Sequence, residues 1–170
     1  MSEKSIDTRN LLSHWRESVP NDRLAHLVRD VARAQMRALQ YRLTPFGVSF
    51  GHWSFLRILW SRDGLTQKEL SDLAGVMEPT TFTAVKAMEK MGVIERRHLP
   101  GNKKNMHVYL TESGRSLERV LVPLAEEVNH ISAKRLPDRT ISVVRNALVQ
   151  MIENLAHEEA RVDASINAGC

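Results

Sequence analysis

One stretch constrains the fold more than any other: LTQKELSDLAGVMEPTTFTAVKAMEKMG, followed at once by VIERRHLPGNKKNMHVYL. Thr66 and Glu69 have the T-x-x-E spacing of a capping box, in which the hydroxyl takes an orphan amide and the carboxylate reaches back. This spacing predicts a short helix from Gln67 to about Ala74. Gly75 permits the positive φ of a sharp helix–helix turn. Pro79 suits the first position of a second helix, where its missing amide hydrogen would have had no partner. That helix runs through TTFTAVKAMEKM and stops at Gly92. Then the period changes. Met106, Val108 and Leu110 alternate with His107 and Tyr109, the pattern of a half-buried strand. VIERRH can pair with it across LPGNKKN, giving a hairpin with a long basic tip at Asn102-Lys103-Lys104-Asn105.

The flanks are helical. Residues 22–43 place Leu24, Leu27, Val28, Val31, Ala34, Met36, Ala38 and Leu39 at mixed three- and four-residue steps, and Pro45 and Gly47 close the segment. Residues 49–61 carry Trp53, Leu56 and Trp60 on one stripe. Thr111 is placed to cap a long helix with Leu117, Val120, Leu121, Leu124, Val128 and Ile131, which Pro123 should kink or loosen. Asp138 is placed to cap a last helix that continues to Val162. The fold class expected is mainly α with a small β-hairpin wing: a winged helix-turn-helix with a helical dimerisation region.

Composition narrows the class. The chain has 170 residues, with 24 Lys and Arg against 20 Asp and Glu. With 42% apolar and 26% charged residues it has ordinary globular usage, which excludes disorder as its main state. Cys170 is the only cysteine, so an internal disulfide framework and a cysteine-rich zinc site are excluded. The seven histidines show no H-x-x-x-H or H-E-x-x-H spacing, so neither a metal nor another cofactor is expected. The start MSEKSIDTRN has no signal-peptide core and no apolar run approaches a membrane span, so the expected location is cytoplasmic. No Ser-His-Asp or paired-carboxylate arrangement is legible, and an enzyme is not expected.

The basic charge is concentrated. From Lys86 to Lys104 six basic side chains (Lys86, Lys90, Arg96, Arg97, Lys103, Lys104) face two acids, Glu89 and Glu95. Such a cluster suits phosphates, although many are only solvated faces. A second helix led by Thr80, Thr81 and Thr83 can enter a major groove and bond to base edges or phosphates. The tip Asn102-Lys103-Lys104 has the donors and charge for a neighbouring phosphate or minor groove. The DNA-contact set expected is Gln67, Lys68, Pro79, Thr80, Thr81, Thr83, Lys86, Arg96, Arg97, Asn102, Lys103 and Lys104. The bland alternative is a winged-helix module that binds a protein partner without sequence-specific DNA binding; a salt titration separates the two.

Three strings, LTQKELSDLAGV, EKMGVIERR and NKKNMHVYLTESGR, resemble the MarR (multiple-antibiotic-resistance) regulator family, and with the flanking helices the resemblance spans roughly residues 22–165. The wing followed by LTESGR is its most specific part. The resemblance implies a homodimer that binds pseudo-palindromic DNA as a transcriptional regulator, commonly a repressor released by a small ligand. Two positions depart from the family pattern. Asn102-Lys103-Lys104 stands where family wings commonly read Asp-Arg-Arg, and Thr83 stands where an Arg is frequent; Lys lacks the bidentate fork of Arg.

The resemblance also divides the chain into an N-terminal extension (1–21), a dimerisation region (22–61 and 112–165), a DNA-binding lobe (62–111) and a tail (166–170). It places a ligand crevice between lobe and dimer region, where Phe46, Phe50, His52 and Trp53 gather and Trp15 of the extension can close over them. Aromatic walls favour a flat ring, and His52 can hydrogen-bond to a carboxylate or, if protonated, pair with it. An aromatic or heteroaromatic carboxylic acid is the effector expected. Trp53 and Trp60 have a competing role as core, and Arg29, Arg33 and Arg37 are read as a solvated stripe, with contact to DNA flanks or a ligand carboxylate as the alternative.

Overall fold

The computed structural model describes residues 8–17, 24–99 and 102–168. Two compact units divide at Asn129/His130. The first begins with α1 (Thr8–Glu17) and α2 (Leu24–Leu43). Helix α1 falls within the stretch expected as an extension. A short 3-10 turn, Thr44–Phe46, ends at Gly47 with φ of 68°. Gln40 sews this turn to the start of the next helix: its Oε1 accepts from Phe50 N at 2.7 Å and its Nε2 donates to Val48 O at 3.4 Å.

Helix α3 (Phe50–Ser61) starts on a capping box that the sequence reading missed. Ser49 Oγ accepts from His52 N at 3.1 Å, and His52 Nδ1 accepts from Ser49 N at 3.5 Å. Histidine here does the work usually given to Glu or Gln.

The central segment follows the expected order. After β1 (Leu65–Thr66), helix α4 (Gln67–Ala74) opens on the Thr66–Glu69 box, with both reciprocal bonds formed. Gly75 is left-handed, φ 64°. Helix α5 (Glu78–Lys90) starts one residue before Pro79, which occupies its second position. Strands β2 (Ile94–Leu99) and β3 (Asn102–Leu110) pair antiparallel from Ile94↔Leu110 to Leu99↔Asn102, with an irregularity between His98 and Leu99. The expected hairpin tip is thus corrected. Asn102, Lys103 and Lys104 are strand backbone, and residues 100–101 lie outside the described residues. The sheet also gains a strand, because β1 pairs with β3 (Leu65↔Val108, Thr66↔His107) to give the order β1-β3-β2.

One core unites these elements. Leu39 and Leu43 of α2, Trp53, Leu56 and Leu59 of α3, Leu70 of α4, Val85 and Met88 of α5, and Val108 and Leu110 of β3 are buried together. Each such side chain contributes ~1.5–3 kcal/mol by leaving water. Helix α6 (Glu112–Ala133) adds Leu121 and Val128 and continues through Pro123 without ending there. Arg42 of α2 grips Glu127 of α6 through two bonds of 3.0 and 3.1 Å.

The string TESGR begins α6, and its glycine is obligatory. A Cβ on Gly114 would overlap the Val93 carbonyl oxygen, and Trp60 Nε1 donates to Gly114 O at 2.9 Å. Asp63 is the second fastening. Its Oδ1 accepts from Gly64 N (3.0 Å) and Leu110 N (2.9 Å), and its Oδ2 accepts from Arg115 at 2.6 Å.

The second unit consists of the end of α6 and α7 (Asp138–Ala168). In this chain α7 exposes Val143, Ile152, Leu155 and Ile166. No helix among the described residues is long and apolar enough to cross a membrane.

Candidate nucleic-acid interface

Helix α5 buries Thr81, Val85 and Met88 at steps of four and three, which leaves Glu78, Pro79, Thr80, Phe82, Thr83 and Lys86 exposed. Thr81 is therefore removed from the expected contact set. It is wholly buried, and its hydroxyl is hydrogen-bonded to that of Ser71 on α4 at 2.8 Å. Ser71 Oγ in turn bonds the Gln67 carbonyl at 2.8 Å. A buried hydroxyl pair of this kind fixes how the two helices cross and cannot reach DNA.

The other residues sort by exposure and partner. Pro79, Thr80 and Thr83 are exposed, although Thr83 Oγ1 donates back to Pro79 O at 3.0 Å and keeps only acceptor capacity. Lys68 is exposed and Gln67 half-buried at the start of α4. Lys86 Nζ lies 4.8 Å from the centre of the Phe82 ring.

The two arginines have partners that sequence spacing did not show. Arg96 is bound to Glu89 of α5 at 2.6 Å and fastens β2 to that helix. Arg97 lies 3.9 Å over the Tyr109 ring and 3.6 Å from Glu95. The Arg96 guanidinium holds Glu89 below its ordinary value, so this carboxylate stays charged at neutral pH. Two of the six basic side chains, Arg96 and Arg97, are thus engaged within the fold. The Asn102, Lys103 and Lys104 side chains lie outside the described residues.

The aromatic group expected as an effector pocket does not assemble. Trp53 is buried in the core, where it meets Trp60 edge-on at 5.5 Å. Phe46 is exposed on the 3-10 turn, and Phe50 is half-buried. Trp15 is on α1, and its Nε1 donates to Asp30 of α2 at 3.3 Å. It lines a separate apolar cavity of about 180 Å³ with Leu11, Leu27 and Val31. Asp30 is held below its ordinary value, first by the hydrogen bond from Arg29.

Only His52 lines the larger cavity, of about 550 Å³, which opens between the start of α3 and one side of α5. Its wall includes Ser49 and Phe55 from the α3 side and Thr80, Thr83 and Ala84 from α5. Burial lowers the His52 pKa, and Nδ1 is occupied by the capping box. The imidazole is thus a neutral donor through Nε2 near pH 7, which leaves hydrogen bonding, of the two expected roles, as the one open to it.

Two short helices crossed through a glycine turn, with an exposed second helix and a sheet fastened beside it, define a winged helix-turn-helix DNA-binding protein. The MarR family model matches residues 48–106. The HTH-type transcriptional regulator YwoH of Bacillus subtilis (strain 168) is 28% identical over 107 residues, covering 63% of this chain and 78% of the relative. A MarR transcriptional regulator from Methanosarcina mazei Go1 superposes with a TM-score of 0.73 at 25% identity, covering 86% of this chain and 98% of that one. A MarR-family regulator from Listeria monocytogenes, solved with a 26mer DNA, superposes with a TM-score of 0.71 at 24% identity, covering 81% and 91%. The chain is thus similar to MarR-family regulators in sequence over residues 48–106 and in fold. These likenesses support a DNA-binding transcriptional regulator of the MarR type.

Proposed function

We propose that the protein is a homodimeric repressor of a pseudo-palindromic operator, released by a small aromatic or heteroaromatic acid. One observation carries the release mechanism. Thr80, Thr83 and Ala84 form part of a cavity wall while standing on the helix that also presents Pro79, Phe82 and Lys86 to solvent. A ligand in that cavity touches the DNA-reading element directly. It releases DNA if it binds more tightly to a dimer whose two α5 helices depart from the spacing of about one DNA turn, roughly 34 Å.

His52 Nε2 and the Ser49 and Thr80 hydroxyls are uncharged donors for the oxygens of such an acid, and Phe55 lies along its ring. Dimerisation is assigned to the terminal helices. The exposed apolar residues of α2 (Leu24, Val28, Val31, Met36) and those of α7 exceed what a small lobe needs for its own core.

The test is a panel of hydroxybenzoic and heteroaromatic acids, each with its amide, in a DNA-release assay with the wild type and His52→Ala. Release by an acid that weakens in His52→Ala supports the reading. Release by no acid, or equal release from the variant, removes the cavity from the account. Equal release by the amide removes the acid.

A further inference from the structure

Phe82 belongs to neither the buried core nor the cavity wall. Its ring is 45% exposed on α5, off the stripe of Thr81, Val85 and Met88 that holds the helix in place. Lys86, one turn later, sets its Nζ 4.8 Å from the ring centre, so the cation and the ring form one unit. Glu78, one turn earlier, is exposed as well.

The stripe Glu78–Phe82–Lys86 therefore runs acid, apolar, base at four-residue steps along one side of the helix. An acid at its head is a poor neighbour for phosphates. The same order suits base edges in a major groove, where a carboxylate accepts from cytosine N4, an apolar ring meets the thymine methyl, and lysine donates to guanine O6 or N7.

We propose that Phe82, positioned by Lys86, reads a thymine methyl in the major groove and is a specificity-determining residue of this regulator. The proposal rests on the DNA-binding function and adds a stated base to it. Thymine and deoxyuridine differ only by that methyl, so the contact is testable without altering the protein.

The experiment selects a duplex from a random pool with the wild-type protein, then replaces its thymines one at a time with deoxyuridine. Burying one methyl-sized group is worth ~0.8 kcal/mol, so one position in each half-site should lose affinity about fourfold. In Phe82→Ala the thymine and deoxyuridine duplexes should bind alike, while the salt dependence of binding stays as in the wild type. If no sequence is selected, the DNA-reading function itself fails. If a sequence is selected but deoxyuridine has no effect anywhere, Phe82 is not a methyl reader and the function stands. A deoxyuridine effect that survives in Phe82→Ala assigns the methyl to another residue and overturns the proposal equally.

Discussion

Replacing Gly114 by Ala should be among the most damaging single-methyl changes available in this chain. The added Cβ would overlap the Val93 carbonyl oxygen and would stand 3.0 Å from the Val93 carbonyl carbon and 3.2 Å from Leu110 Cδ2. The first two of these neighbours are backbone and cannot rotate away. The start of α6 must retreat. Three hydrogen bonds depend on its present place: Thr111 N to Val93 O (3.1 Å), Thr111 Oγ1 to Gly92 O (2.7 Å) and Trp60 Nε1 to Gly114 O (2.9 Å). At about 1 kcal/mol net for each bond, their loss amounts to about 3 kcal/mol. A chain of this size loses roughly 2–4 °C in Tm per kcal/mol, so thermal unfolding followed by circular dichroism should fall by about 6–12 °C. Gly51→Ala is the control, since its Cβ would meet only Ser49 Oγ at 3.8 Å. It should be neutral or slightly stabilising, as Ala is the better helix former. A Gly114→Ala protein that melts within about 2 °C of the wild type would refute the steric argument.

Thr81→Val should cost about 1 kcal/mol in urea unfolding and leave the DNA affinity of the folded protein unchanged, since the hydroxyl it removes faces Ser71. Changing Lys103 and Lys104 together to Ala should weaken operator and random DNA alike and reduce the salt slope by about two counterion units; an unchanged slope would deny the wing a phosphate role. Burial lowers the His52 pKa, so the unfolded chain takes up this proton before the folded one does. The contribution of His52 to stability is fully present above its ordinary value of 6.5 and is lost as pH falls through the lowered value. His52→Gln, which keeps an acceptor for Ser49 N, should flatten stability over that window, and identical acid-side curves for the two proteins would contradict this.

Much of the lobe was legible because its signals are local. The Thr66–Glu69 box and Gly75 each act within a few residues of themselves, and the structure places them as expected. What escaped the sequence depends on contacts between distant segments. A two-residue strand such as β1 has no periodicity to read, and it exists because Leu65 meets Val108 across 43 positions. Thr81 looked like its hydroxylated neighbours, and only the crossing with Ser71 shows that it faces inward. Arg96 and Arg97 read as free charge until Glu89 and Tyr109 were found beside them. Trp53 and Trp15 shared an aromatic character that suggested one pocket, yet Trp53 is core and Trp15 is engaged by Asp30. Phe82 did carry a sequence signal: it is a large apolar residue one position off the buried stripe of its helix.

Footprinting the wild-type protein on its selected DNA tests the central claim most directly. A two-fold regulator that reads with α5 should protect two half-sites related by inverted symmetry, with major-groove contacts centred about one helical turn, roughly 10 bp, apart. Specific binding should exceed random-sequence binding by at least ~10³ at physiological salt. A single asymmetric half-site, or equal affinity for selected and random duplexes, would contradict it.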